Sequence, residues 1–298
     1  MMPEESRNEN DSQPFRAARG QRGQEQLGLA KCGMSDSIRQ KFGDHYRPKV
    51  EAFPRETQDL DAQGIPAVHL PLWGKHYAIA KRKTAFIGID TSEWGEMAEF
   101  LKKSPEEALW YGESVRFFEE KTFREFGFLG CTNRGKTSFW DTVLKFLAKF
   151  NNIPNWHELR NNQRLYEDIL SGFVWAEANA VELWQHTPSS QNADFASWEK
   201  FKTAAETHFD YLSSILEVFR PHAVIILNGD QLDDTNKRVP YWGGCNFEQC
   251  ENLSQDVWYG LVPEYGTHVF WTYHPRALGT RIDEVLETVV QKWSGVCS

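Results

Sequence analysis

Long apolar runs are missing from this chain of 298 residues. No stretch approaches the roughly 20 uncharged apolar residues that a membrane span needs. The polar opening Met1 to Gln13 also lacks the apolar middle of a secretory leader. A soluble, cytoplasmic protein with no membrane partner is therefore expected. Cysteine is scarce: Cys32, Cys131, Cys245, Cys250 and Cys297 are odd in number and contain no C-x-x-C pair. Neither a disulfide framework nor a zinc ribbon is implied, and free thiols are expected. The nine histidines are scattered, and His274 has no H-x-x-x-H partner, so no metal and no cofactor are expected. Positive charge is in deficit as well. A net charge of −9 argues against broad electrostatic adhesion to nucleic acid, although a local basic face can coexist with an acidic whole.

What is present supports one sizeable core. With 40% hydrophobic and 14% aromatic residues, the chain buries enough apolar surface to offset the entropy of folding. Residues 1–35 are the exception, being rich in Glu, Arg, Asn, Gln and Gly without periodic apolar positions. They read as a disordered tail, with Met34 as a second plausible start, ahead of one domain over residues 36–298. The runs Thr84–Ile89, Gly172–Ala176, His222–Leu227 and Thr267–Thr272 read as buried strands. Helical patterns fit Glu96–Leu101, Ser138–Phe150, Glu158–Leu170 and Arg281–Trp293, and a stripe of apolar residues runs from Trp198 to Phe219. Strands alternating with helices predict an α/β fold, a three-layer α/β/α sandwich around a central four-stranded, mainly parallel sheet.

In such a sheet ligands bind beyond the carboxyl ends of the strands. The residues there are polar: Asp90 after the first run, Glu177 and Asn179 at the end of the second, Asn228 and Asp230 after the third, Tyr273 and His274 after the fourth. Carboxylates, amides and an imidazole on one rim are what an acid/base or electrostatic site requires.

These residues carry a resemblance. Gly88-Ile89-Asp90-Thr91-Ser92-Glu93 resembles the water-activating motif of the uracil-DNA glycosylase superfamily, which in its best-known branch reads G-Q-D-P-Y-H. His274-Pro275-Arg276-Ala277-Leu278 is similar to that family's H-P-S-P-L motif, and Arg220 to Gly229 to its third strand with the preceding Arg-Pro. The likeness covers roughly residues 45–298 and implies a DNA glycosylase, active on double-stranded DNA as a monomer. It assigns Asp90 to orienting water and stabilising the sugar cation, and His274 to hydrogen-bonding the departing base. The same roles follow from the chemistry, because cleaving a pyrimidine N-glycosidic bond builds positive charge on the sugar and negative charge on base O2. Such an enzyme flips its target nucleotide out of the duplex. Leu278 stands in the place of the family's wedge leucine. Arg276 and Arg281 flank it as phosphate contacts. The iron–sulfur branches need four cysteines at a spacing this chain lacks.

Departures from the pattern narrow the substrate. The aligned position of the tyrosine that closes the pocket at base C5 is Ser92, so the wall is opened. The asparagine that reads the pyrimidine aligns with Glu177, with Asn179 two residues on. A carboxylate accepts from the exocyclic amine of cytosine and repels O4 of uracil. The expected substrate is a bulky C5-modified cytosine such as glucosylated hydroxymethylcytosine in bacteriophage DNA, resembling the family's anti-phage branch; uracil repair is the runner-up. Tyr241 and Trp242 are candidates for a sugar-facing platform. Lys81, Arg82 and Lys83 form the strongest basic cluster but belong to the opposite rim.

Two rival readings stand beside this one. Gly130-Cys131-Thr132-Asn133-Arg134-Gly135-Lys136-Thr137 matches the P-loop signature G-x-x-x-x-G-K-[ST], which suggests a nucleotide hydrolase. The segment ahead of it, Thr122 to Gly127, is broken by charge and glycine where a P-loop needs a buried strand. A helix-capping turn is then the simpler reading, with Arg134 and Lys136 touching DNA phosphate. The other rival is a non-catalytic binder of modified DNA, against which the joint presence of Asp90 and His274 argues.

Overall fold

The structure, a computed structural model, describes residues 29–74, 77–88, 95–109, 138–161, 169, 172–181, 194–228 and 245–296. The chain forms α1 (Leu29–Glu56), β1 (Leu72–Trp73), β2 (Thr84–Gly88), α2 (Met97–Phe100), α3 (Pro105–Leu109), α4 (Ser138–Phe150), α5 (Glu158–Asn161) and β3 (Phe173–Glu177). There follow α6 (Phe195–His208), α7 (Tyr211–Phe219), β4 (Ala223–Leu227), β5 (Glu248–Ser254), β6 (Val257–Val262), β7 (Thr267–Thr272), α8 (Pro275–Leu278) and α9 (Ile282–Val296).

The described strands make one mixed sheet of seven, in the order β1-β3-β2-β4-β7-β6-β5. This corrects the expected four-stranded sheet. The four apolar runs supply β3, β2, β4 and β7, which pair in parallel, while β1, β6 and β5 join antiparallel at the two edges. The extra strands escaped sequence reading for physical reasons. β1 has two residues, and β5 (EQCENLS) is a polar edge strand without apolar alternation.

Burial explains the composition of the parallel strands. Every residue of β2, β3 and β4 is buried, as expected of parallel strands covered on both faces. On one face Phe86 meets Phe146 of α4 at 6.2 Å, and Trp175 meets Trp140 of α4 at 4.8 Å. Ala176 points to the other face by alternation and lines a small cavity with Tyr46 of α1 and Tyr211 of α7. The apolar stripe from Trp198 to Phe219 is two helices, because the chain breaks at Phe209 and restarts at Asp210, whose carboxylate accepts from the Ser213 hydroxyl at 2.5 Å. The expected tail boundary at residue 35 falls inside α1, which starts at Leu29.

His69 is buried where the segment before β1 meets the end of β3, its N–H donating to Ala180 O at 2.8 Å and its ring 5.3 Å from Trp175. Burial pushes its pKa down to about 3, from an ordinary value of 6.5. The unfolded chain therefore takes up this proton first, so the neutral ring stabilises the fold fully above about pH 6.5 and loses that contribution as pH falls towards 3. The full shift corresponds to on the order of 5 kcal/mol. Urea unfolding between pH 7 and pH 4 is expected to show stability falling with acid, and His69→Phe is expected to flatten that slope. An unchanged slope in the variant would assign the acid sensitivity to other groups.

Candidate active site

Register brings the functional ends together. Gly88 stands opposite Glu177, Ile87 opposite Ile226, Leu227 opposite Thr272, and Thr272 opposite Val257. Glu177, Gly88, Asn228, Tyr273, His274 and Asp256 therefore share one rim, at the carboxyl ends of the parallel strands. Lys81, Arg82 and Lys83 precede β2 at the other rim, where Lys83 O accepts from His222 N–H at 2.8 Å.

Glu177 lies across Gly88. A Cβ on Gly88 would stand 2.5 Å from Glu177 Oε2 and 3.1 Å from its Cδ. The missing side chain is what lets the carboxylate occupy that space. Glu177 is buried, and the same backbone step is locked by Ala178 N–H donating to Gly88 O at 2.9 Å. The strand ends at Glu177, so the alternation that placed Asn179 on the same face stops before reaching it. Asn179 is half-buried beyond the strand.

His274 leaves β7 at the start of a single helical turn. Pro275 takes the first helical position, where a missing N–H costs nothing. Ala277 N–H donates to His274 O at 2.8 Å, and Arg276 N–H donates to His274 Nδ1 at 3.2 Å. That second bond makes Nδ1 an acceptor, so in the neutral ring the proton resides on Nε2. In its neutral form His274 is thus an Nε2–H donor. Beneath the turn Trp271, Tyr273 and Trp258 form an aromatic cluster, with Trp258 at 4.4 Å from Trp271 and 5.7 Å from Tyr273. Trp175, Trp271 and Tyr273 are buried in the core.

One expectation at this turn is corrected. Leu278 is not an exposed wedge: it is 3% exposed and belongs to the hydrophobic core, because α8 packs against α4 and its last residue turns inward. Arg281 is already paired within the fold. Its Nη1 lies 2.5 and 2.6 Å from the two carboxylate oxygens of Asp256, and Nη2 donates to Ala277 O at 3.3 Å. Arg276 is exposed. Ile89, Asp90, Ser92, Arg134, Lys136, Tyr241 and Trp242 lie outside the described residues, as does the segment from Gly130 to Thr137.

A second constellation, invisible to motif reading, has the outline of a nucleophile–base–acid triad. Ser214 Oγ lies 2.9 Å from His45 Nε2, and Glu217 Oε2 lies 3.2 Å from His45 Nδ1. It cannot act as one. Ser214 is fully buried inside α7, and the Lys49 ammonium donates to the same Nε2 at 2.6 Å, occupying the lone pair a base would use. Burial, and then Lys49, hold the His45 pKa below its ordinary value. The group clamps α1 to α7. Among the described residues no cluster of metal-ligating side chains occurs, and no helix is long and apolar enough to cross a membrane. Compared with protein-family models, characterised proteins and solved structures, the chain matches none.

Proposed function

We propose that the chain is a monofunctional DNA glycosylase that flips a modified base from double-stranded DNA and hydrolyses its N-glycosidic bond, leaving an abasic site. The observation that carries this reading is His274. It stands on the same rim as Gly88 and Glu177, with Nδ1 accepting a backbone N–H so that Nε2 holds the proton. A neutral donor suits a base leaving with charge on O2, since it strengthens its hydrogen bond as that charge grows. Asp90, two residues beyond Gly88 in the chain, is the anion that stabilises the sugar cation and orients water. On this reading β3-β2-β4-β7 is the four-stranded core of a uracil-DNA glycosylase-like fold, and the antiparallel edges are additions to it.

The buried carboxylate of Glu177 favours a cytosine-type base, since it accepts from an amine and repels a carbonyl. With Ser92 in place of a wall tyrosine, the best substrate is a glucosylated hydroxymethylcytosine of phage DNA, which makes the protein a cytoplasmic antiviral enzyme acting as a monomer. Arg276 is the phosphate contact on the His274 turn. The test is alkali-induced strand cleavage after incubation with duplexes carrying uracil, cytosine, hydroxymethylcytosine or its glucosides. Cleavage at the glucosylated base with cytosine spared is expected. Release of uracil alone would make it a repair enzyme, and no release from any duplex would overturn the glycosylase reading.

A further inference from the structure

The turn that carries His274 is too short to hold itself. Its helix, Pro275–Leu278, has four residues, far below the length at which a helix is stable in water, and Gly279 ends it in the left-handed region at φ 54°. The carbonyls of its last residues lie at a helix end, where backbone partners run short and side-chain donors add support. Arg281 supplies it. The guanidinium donates through Nη2 to Ala277 O at 3.3 Å, while Nη1 is held by both oxygens of Asp256, a carboxylate only 6% exposed.

Asp256 is itself fixed to the sheet. It sits in the turn between β5 and β6, directly before Val257, and Val257 pairs with Thr272, two residues before His274. A closed circuit results: Thr272 to Val257 across the ladder, Asp256 to Arg281 by ion pair, Arg281 to Ala277 O, and Ala277 N–H back to His274 O at 2.8 Å. The next backbone N–H, that of Arg276, fixes the imidazole through Nδ1. The orientation of the His274 ring is therefore referred to the antiparallel end of the sheet.

We propose that Asp256 and Arg281 are positioning residues of the candidate site, holding the His274 turn in the geometry that presents Nε2–H. As far as catalysis is concerned the inference rests on the glycosylase reading; as far as the ring is concerned it does not. It also replaces the phosphate-contact role that sequence alone suggested for Arg281. The two roles differ in what they move. A cation that neutralises a phosphate sets DNA affinity and its salt dependence, and its removal lowers the salt slope by about one. A positioning residue changes the rate of the bound complex and leaves that slope alone, because a displacement of about 1 Å at a reacting group costs up to about 100-fold in rate.

The experiment uses the full chain as wild type, Asp256→Asn, Arg281→Gln, the double variant and Arg281→Lys. Duplex affinity is measured from low to high salt, single-turnover base release is timed, and the His274 ring is observed by ¹⁵N NMR. Asp256→Asn and Arg281→Gln are each expected to slow base release about 10- to 100-fold, the double variant no further, with affinity and salt slope unchanged. The His274 nitrogen resonances are expected to leave the Nε2–H position of the wild type and become averaged. Arg281→Lys keeps the charge beside buried Asp256, so it guards against loss of fold, but it lacks the fork and is expected to recover only part of the rate. A reduced salt slope in Arg281→Gln alone would restore the phosphate role and overturn the proposal. Unmoved His274 resonances in folded variants would also overturn it. If the wild type releases no base from any duplex, the glycosylase reading fails, yet the NMR comparison still decides whether the ion pair positions His274.

Discussion

Alanine in place of Asp90 is expected to slow base release by at least about 10³-fold while leaving duplex binding and thermal stability close to wild type. The reason lies in where charge develops. As the glycosidic bond breaks, the sugar becomes cationic, and a carboxylate in a site emptied of bulk water stabilises that cation far more than it stabilises the neutral substrate. A 10³-fold loss corresponds to about 4 kcal/mol of transition-state stabilisation. Asp90→Asn keeps the shape but not the charge, so it should lose nearly as much. The measurement is single-turnover release at saturating enzyme, which separates chemistry from binding. On the glycosylase reading Asp90 and His274 act on the two halves of one breaking bond, so the double variant with His274→Ala should fall less than the product of the single losses. Wild-type rates from purified Asp90→Ala would remove Asp90 from the chemistry and leave Glu177 as the carboxylate to be tested at this rim.

Much of the frame was legible because parallel strands buried on both faces must be continuous apolar runs, and TAFIG, FVWAE, AVIIL and THVFWT stand out as such. The strand ends could therefore be read as a rim before any contact was known, and Glu177 and His274 found on it. Helix α1 was hidden by chemistry that runs against propensity. Phe42, Tyr46, Val50 and Phe53 form a buried stripe at helical spacing, but Pro48 and Pro54 sit within it and discourage a helical reading. The β5–β6 hairpin was hidden for the opposite reason, since its outer strand buries almost nothing. Leu278 and Arg281 show the limit of motif alignment. An aligned position carries a residue type, but whether a leucine points outward or an arginine is already satisfied depends on long-range partners, here α4 and Asp256. The His45 clamp likewise joins residues separated by more than half the chain, which no local pattern reveals.

Gly88→Ala is expected to be strongly damaging for a single added methyl, since the new Cβ would stand 2.5 Å from Glu177 Oε2. Neither partner has an easy way out. The two strands are locked in register at this pair and by the bond from Ala178 N–H to Gly88 O, and Glu177 is buried, so its carboxylate must turn away from the surroundings that hold it. Overpacking of this kind costs about 1–3 kcal/mol, to which the displaced buried charge adds. Shortening the side chain removes the clash, so Glu177→Ala should rescue part of the stability lost in Gly88→Ala, a coupling that a double-mutant cycle in urea measures directly. On the glycosylase reading the same pair bears on recognition. Glu177→Gln keeps size and packing while replacing a pure acceptor with a group that both accepts and donates. Discrimination between an amine and a carbonyl on the base should then fall by about 10-fold or more in relative kcat/KM for the cytosine-type over the uracil-type duplex. Additive effects in the cycle would show that Glu177 does not rest on Gly88 in solution. Unchanged selectivity in Glu177→Gln would leave the carboxylate a packing role only, and would place the reading of the base on other groups of the rim.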